Sequence, residues 1–167
     1  PMLALKIIDV KDFMNKLLIG EVFDRFFLVE ASVTTFNVFT IDGRLQQDFF
    51  DTDTADSLKS KSIDYSLWRD VKPYCFSVIR GKRTPLGFKI IFQLSSHQAQ
   101  KLLSGTENNS ITPVCNFCLN IQYKNQVLLC TTGVSYSSFS LDRQPEHLWD
   151  ETICSFFTSR QIPFEKL

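Results

Sequence analysis

The apolar positions of this chain follow two periods, and each marks a different element. Leu3 to Ile8 is a short apolar run that predicts a strand. Asp9 then stands as N-cap of a helix, with Asp12 at its third position. Val10, Phe13, Met14, Leu17 and Leu18 share one face, and Gly20 stops it. Phe26 to Ile41 alternates, through Phe27, Val29, Ala31 and Val33 and then Phe36, Val38 and Thr40, which predicts two strands bent or turned at Thr34-Thr35. Asp42-Gly43 is a hairpin signal and predicts a third strand, Arg44 to Phe50. Asp51 to Lys61 is polar throughout and predicts a loop. Leu67, Val71, Tyr74, Cys75 and Val78 form a helical stripe around Trp68. Pro73 interrupts it by removing a donor, so a short turn at Trp68 and a helix from about Pro73 are expected.

The second half repeats the order. Phe88 to Leu94 reads as a strand, and Ser95 with Gln98 is a capping box opening a helix over His97 to Leu103. Gly105 to Pro113 is a polar loop. Cys115 to Tyr123 and Gln126 to Thr132 read as strands joined at Lys124-Asn125, and Ser135 to Leu141 as a third. A helix around Trp149 runs to about Arg160, and Gln161 to Leu167 is a docked or frayed tail.

The agreement extends to sequence. Leu67-Trp68-Arg69-Asp70 returns 81 positions later as Leu148-Trp149-Asp150-Glu151, and each Trp precedes a Phe by eight residues. Lys6-Ile7-Ile8 and Lys16-Leu17-Leu18 are echoed by Lys89-Ile90-Ile91 and Lys101-Leu102-Leu103. The expected fold is therefore α+β, with two tandem β-α-β-β-β-α repeats and a mainly antiparallel sheet. One domain is expected, its two pseudo-repeats covering about residues 3–84 and 86–163.

Composition narrows the class. Hydrophobic residues make up 44% and the 16 Phe fall mostly at core-type positions, so an aromatic core is expected. No apolar stretch reaches the ~20 residues of a membrane span, and no signal peptide is read. Pro1 ahead of Met2 is read as a remnant of tag removal, with Met2 as the start. Five Cys without dense spacing fit a reducing cytoplasm. Net charge is zero, but its distribution is uneven: Ser57 to Lys101 holds nine Lys/Arg against two Asp, and Ile41 to Asp56 five Asp against one Arg.

The stretches LVEASVTTFNVFTIDGR (28–44) and CFSVIRGKRTPLGFKIIFQLS (75–95) resemble a family of short proteins from clostridia and related Firmicutes, classed as a domain of unknown function. That resemblance implies a bacterial cytoplasmic protein and no particular activity. In fold alone, two such units in tandem resemble one domain of a sliding DNA clamp. The Trp-bearing helix in each unit and the single pair of units depart from a clamp, and no clamp motif maps onto residues here.

Candidate chemistry is sparse. Cys115-Asn116-Phe117-Cys118 is a C-x-x-C, but it lies in an expected strand, where residues three apart point to opposite faces, and no second pair completes a zinc set. Asp51-Thr52-Asp53 lacks the Gly and Glu of a calcium loop. His97 and His147 adjoin no catalytic partner, and no nucleophile or phosphate-loop motif is present. No catalytic residue, metal or cofactor is assigned. The basic centre is the remaining candidate: Arg69, Lys72, Arg80, Lys82 and Arg83, five cations that can neutralise phosphates. The second unit has only Arg160 at the equivalent place. The expected function is a cytoplasmic, non-enzymatic binding protein that contacts nucleic acid through these residues. The alternatives are a protein-interaction module or homodimer, and an enzyme with a cleft between the repeats.

Overall fold

The alternating runs close into one seven-stranded sheet, described by a computed structural model over residues 3–105 and 114–167. The elements are β1 (Ala4–Ile7), α1 (Val10–Leu18), β2 (Phe27–Thr34), β3 (Val38–Asp42), α2 (Thr52–Ser60), α3 (Trp68–Ile79), β4 (Gly87–Gln93), α4 (Ser96–Ser104), β5 (Val114–Lys124), β6 (Val127–Tyr136), α5 (Gln144–Ser159) and β7 (Phe164–Lys166). The strand order is β3-β2-β4-β5-β6-β1-β7, and every neighbouring pair is antiparallel. The α+β class with an antiparallel sheet is as expected.

Alternation fixes which face is buried. In register across four strands, Ala31, Ile90, Ile121 and Cys130 form one buried row, and Leu5 continues it on β1. Lys89, Gln122 and Leu129 form the matching row on the opposite face. Helices α1, α3 and α5 pack on the first face, as an antiparallel sheet permits. Between the layers sits the expected aromatic core: Phe13, Phe23, Phe92, Phe117 and Phe157 are fully buried, and Phe23 stacks on Phe92 at 5.6 Å between centroids.

Both capping predictions hold in atomic detail. Asp9 Oδ1 accepts from Asp12 N at 3.0 Å, and Ser95 Oγ accepts from Gln98 N at 3.2 Å. The two indoles are buried anchors, yet they hold different things. Trp149 Nε1 donates to Cys118 O at 2.8 Å and ties α5 to β5. Trp68 packs its ring on Phe92, but its Nε1 donates to Leu17 O at 2.8 Å, one of the end carbonyls that α1 leaves without a helical partner. Trp68 therefore ties helix to helix rather than helix to its own half-sheet.

Several expectations change. The pairings are not those of two equivalent half-sheets: β4 pairs with β5, whereas their counterparts β1 and β2 do not touch, and β1 pairs with β6 and β7. The chain from Arg44 to Phe50 is not a strand. It makes one bridge, Arg44 to Tyr65, and a 3-10 turn over Gln47–Phe49. Asp51 to Lys61 is the helix α2, because Asp51 accepts from Thr54 N at 2.7 Å and Asp53 and Lys59 suit its two ends. No α2 residue is buried, so no apolar stripe marked it. Helix α3 runs unbroken from Trp68 through Pro73. The carbonyl that Pro73 leaves unpaired belongs to exposed Arg69, where water can satisfy it. No separate strand forms over Ser135 to Leu141: Ser135 and Tyr136 end β6, and residues 137–141 are irregular. The C-terminal tail docks as β7 on β1. Most of the Gly105 to Pro113 loop lies outside the described residues.

Gly43 explains why the chain does not reverse after β3. A Cβ there would sit 1.8 Å from Leu28 O and 2.6 Å from Leu28 C, so the backbone passes directly over β2 at its bulge. Gly43 N donates to Val29 O, and Gly43 O accepts from Ser66 N, both at 2.9 Å. Gly43→Ala is expected to cost about 2 kcal/mol or more, because backbone rather than a flexible side chain must yield. Urea unfolding measures it; a variant within experimental error of the parent would refute the close approach.

Candidate anion-binding cleft

Where α1 ends, the chain loops through Glu21 to Phe26 before entering β2, and this loop meets the starts of α3 and α4 and one side of α5. The result is a cleft of about 720 Å³, within the usual range for ligand sites. Three arginines line it from three separate segments: Arg25 from the loop, Arg69 from the first turn of α3, and Arg160 from the C-cap of α5. Phe156 lines it half-buried, backed by the buried Phe26 and Trp149, and the Arg160 guanidinium lies 5.8 Å from the Phe156 ring centre.

The charges of the cleft are unevenly matched. Among the described residues, neither Arg25 nor Arg160 has a carboxylate within 4.0 Å, and Arg69 meets only Asp70, at 3.8 Å with both side chains 65% exposed. Such an exposed pair is worth little. Two acids line the cleft, Glu21 and Asp24. Asp24 is already neutralised, since Lys72 Nζ lies 2.7 Å from its Oδ1 and both side chains are only 12% exposed. The same ammonium donates to Gly20 O at 2.8 Å. Among the described residues three arginines thus face one remaining carboxylate, Glu21, a surplus that attracts anions.

The structure divides the five residues singled out from sequence. Arg69 lies in the cleft. Lys72 stands behind it, committed to Asp24 and Gly20. Arg80, Lys82 and Arg83 are exposed at the opposite end of α3, where Arg80 stacks over Phe76 at 5.8 Å. Arg25 was not legible as a partner of Arg69, because nothing local marks it. From sequence Arg160 reads only as a helix-end cation, and the fold places it in the same cleft as Arg69.

The other motifs carry less. Cys118 lies on the sheet face opposite Phe117 and Leu119, half-buried, and burial pushes its thiol up. Burial pushes Cys75 up to about 11 and raises Cys130 and Cys154 as well, so these thiols are poor nucleophiles. The Cys115 side chain lies outside the described residues. Among the described residues no three His, Cys, Asp or Glu side chains gather as a metal site would require. The acidic run is a helix cap: the backbone bond from Thr54 lowers the Asp51 carboxyl below its ordinary value. No helix among the described residues is long and apolar enough to cross a membrane.

Fold and site together define a two-layer α+β protein with an arginine-lined cleft on its helical side. The chain belongs to the family of unknown function DUF5721, whose model matches residues 16–165. No curated protein and no solved structure matches it.

Proposed function

We propose that this protein is a cytoplasmic, non-enzymatic binding module for single-stranded nucleic acid. The observation that carries the reading is the convergence of Arg25, Arg69 and Arg160, largely without carboxylate partners, on one aromatic-walled cleft. Arginine forks match phosphate oxygens in pairs, and a part-exposed aromatic ring such as Phe156 tolerates any base. Arg80, Lys82 and Arg83 supply a second set of phosphate contacts at the far end of α3. Lys72 serves indirectly, by holding Asp24 neutral at the cleft. The polar groups of the cleft favour binding over catalysis. Thr152 Oγ1 donates to Leu148 O at 2.6 Å, and Asp24 is tied to Lys72, so neither is poised as a nucleophile or base.

Fluorescence anisotropy with labelled single- and double-stranded DNA and RNA tests this. Binding to single strands is expected at low salt, with log K falling linearly against log salt. Arg25→Ala, Arg69→Ala and Arg160→Ala should each shallow that slope by about 0.7. Lys89→Ala, on the uncovered sheet face, should leave it unchanged. Absence of binding to any of the four probes at low salt refutes the proposal.

A second reading rests on the open edge of the sheet. β3 pairs only with β2 among the described residues, and its own Val38 and Phe39, with Phe36 in the adjoining turn, are exposed. Such an edge can pair with a second copy of the chain. Light scattering that gives a monomer at high concentration removes this reading and leaves the first intact.

A further inference from the structure

At the end of α3 remote from the arginine cleft lies a second recess, of about 550 Å³, with a different chemistry. Met14 and Ile19 of α1 form one wall, and Phe76 and Ile79 of α3 the other. The floor is the ring pair Phe88 and Tyr123, stacked at 5.5 Å with an 18° tilt. Ile19 is 65% exposed, an unusual position for an isoleucine that has an apolar wall beside it. Among the described residues, the charged ones that line it are Lys11 on α1 and Lys82 just beyond α3. Among the described residues no Asp or Glu lines the groove, and neither lysine has a carboxylate within 4.0 Å.

We infer that this groove binds a single-chain anionic amphiphile, a fatty carboxylate, with its chain along the apolar walls and its head group between Lys11 and Lys82. The pairing of features selects this class. A purely apolar ligand would leave two ammonium groups unused at the rim. A small polar anion could meet Asn15 and Thr84 beside the lysines but would leave the methyl and ring surface of the walls in water. An amphiphile satisfies both parts, because chain burial supplies affinity and the cations fix the direction of the head. Met14 suits such a role, since its unbranched side chain adapts to a chain of varying length. The inference stands apart from the nucleic-acid reading, with which it shares Lys82 alone.

Displacement of a dansylated undecanoate by octanoate, decanoate and dodecanoate, each below its micellar concentration, tests it on the full chain. Affinity is expected to rise about fourfold for each added methylene, as burial of one CH₂ implies. Dodecanol should bind at least about tenfold more weakly than dodecanoate, and Lys11→Glu or Lys82→Glu should remove that advantage while sparing the alcohol. Met14→Trp should block all four ligands. If it fails to fold, the two surface lysine variants still decide the matter. Affinity independent of chain length, equal binding of alcohol and carboxylate, or indifference to both lysine reversals overturns the assignment. So would a groove that admits an acidic amphipathic peptide and no dodecanoate.

Discussion

Trp68→Ala is expected to lower the stability of this protein by about 3–5 kcal/mol, the range for removing a large buried aromatic. For a domain of this size that is a fall of roughly 6–20 °C in Tm. The magnitude follows from position. The indole is fully buried, sits 5.2 Å from the Phe92 ring, and donates to Leu17 O, so its loss leaves a cavity and an unpaired carbonyl at once. Trp68→Phe separates the two effects. It keeps most of the packing on Phe92 but abandons the Leu17 carbonyl, for a cost of about 1–3 kcal/mol. Thermal melts followed by circular dichroism measure both, with Trp149 as an internal fluorescence reporter of the other anchor. An Ala variant that melts within two degrees of the parent, or a Phe variant as stable as the parent, would show that this helix–helix tie does not hold α3.

That tie also marks where sequence reasoning stopped. Local signals were legible wherever their physics is local: the Asp9 and Ser95 caps, the alternation that buries Ile90 and Ile121, and the two Trp anchors. Partners across the fold were not. Alternation says which face of a strand is buried but not which strand lies beside it, so the resemblance between halves could not reveal that β1 pairs with β6. Helix α2 escaped because the stripe that marks a helix exists only when one face is buried, and α2 buries none. Gly43 read as a turn glycine, whereas its role is a close crossing over Leu28. The cleft is the extreme case: Arg25, Arg69 and Arg160 are separated by 44 and 91 positions, and only the sheet order brings them together. What the sequence did hold was Arg69 itself, picked out from a charge excess rather than from any motif.

Lys72 and Asp24 should be the most revealing pair, because their substitutions separate stability from binding. With both side chains 12% exposed and 2.7 Å apart, removal of either strands the other in a poorly solvated site, at about 3–5 kcal/mol. Lys72→Met and Asp24→Asn are therefore both expected to destabilise strongly in urea unfolding. Replacing the two together, Asp24→Leu with Lys72→Met, should recover most of the loss, since an apolar pair of similar volume carries no desolvation cost. Anion binding should divide the single variants by sign. Lys72→Met uncovers the Asp24 carboxylate inside the cleft, where it opposes Arg25, Arg69 and Arg160, so affinity for a single-stranded oligonucleotide falls. Asp24→Asn removes that carboxylate and frees an ammonium nearby, so affinity holds or rises although the fold is weaker. A merely structural pair would lower binding in both variants alike. If Lys72→Met binds as tightly as the parent while Asp24→Asn binds less, the charge surplus in the cleft is not what attracts the ligand, and the anion-binding assignment fails with it.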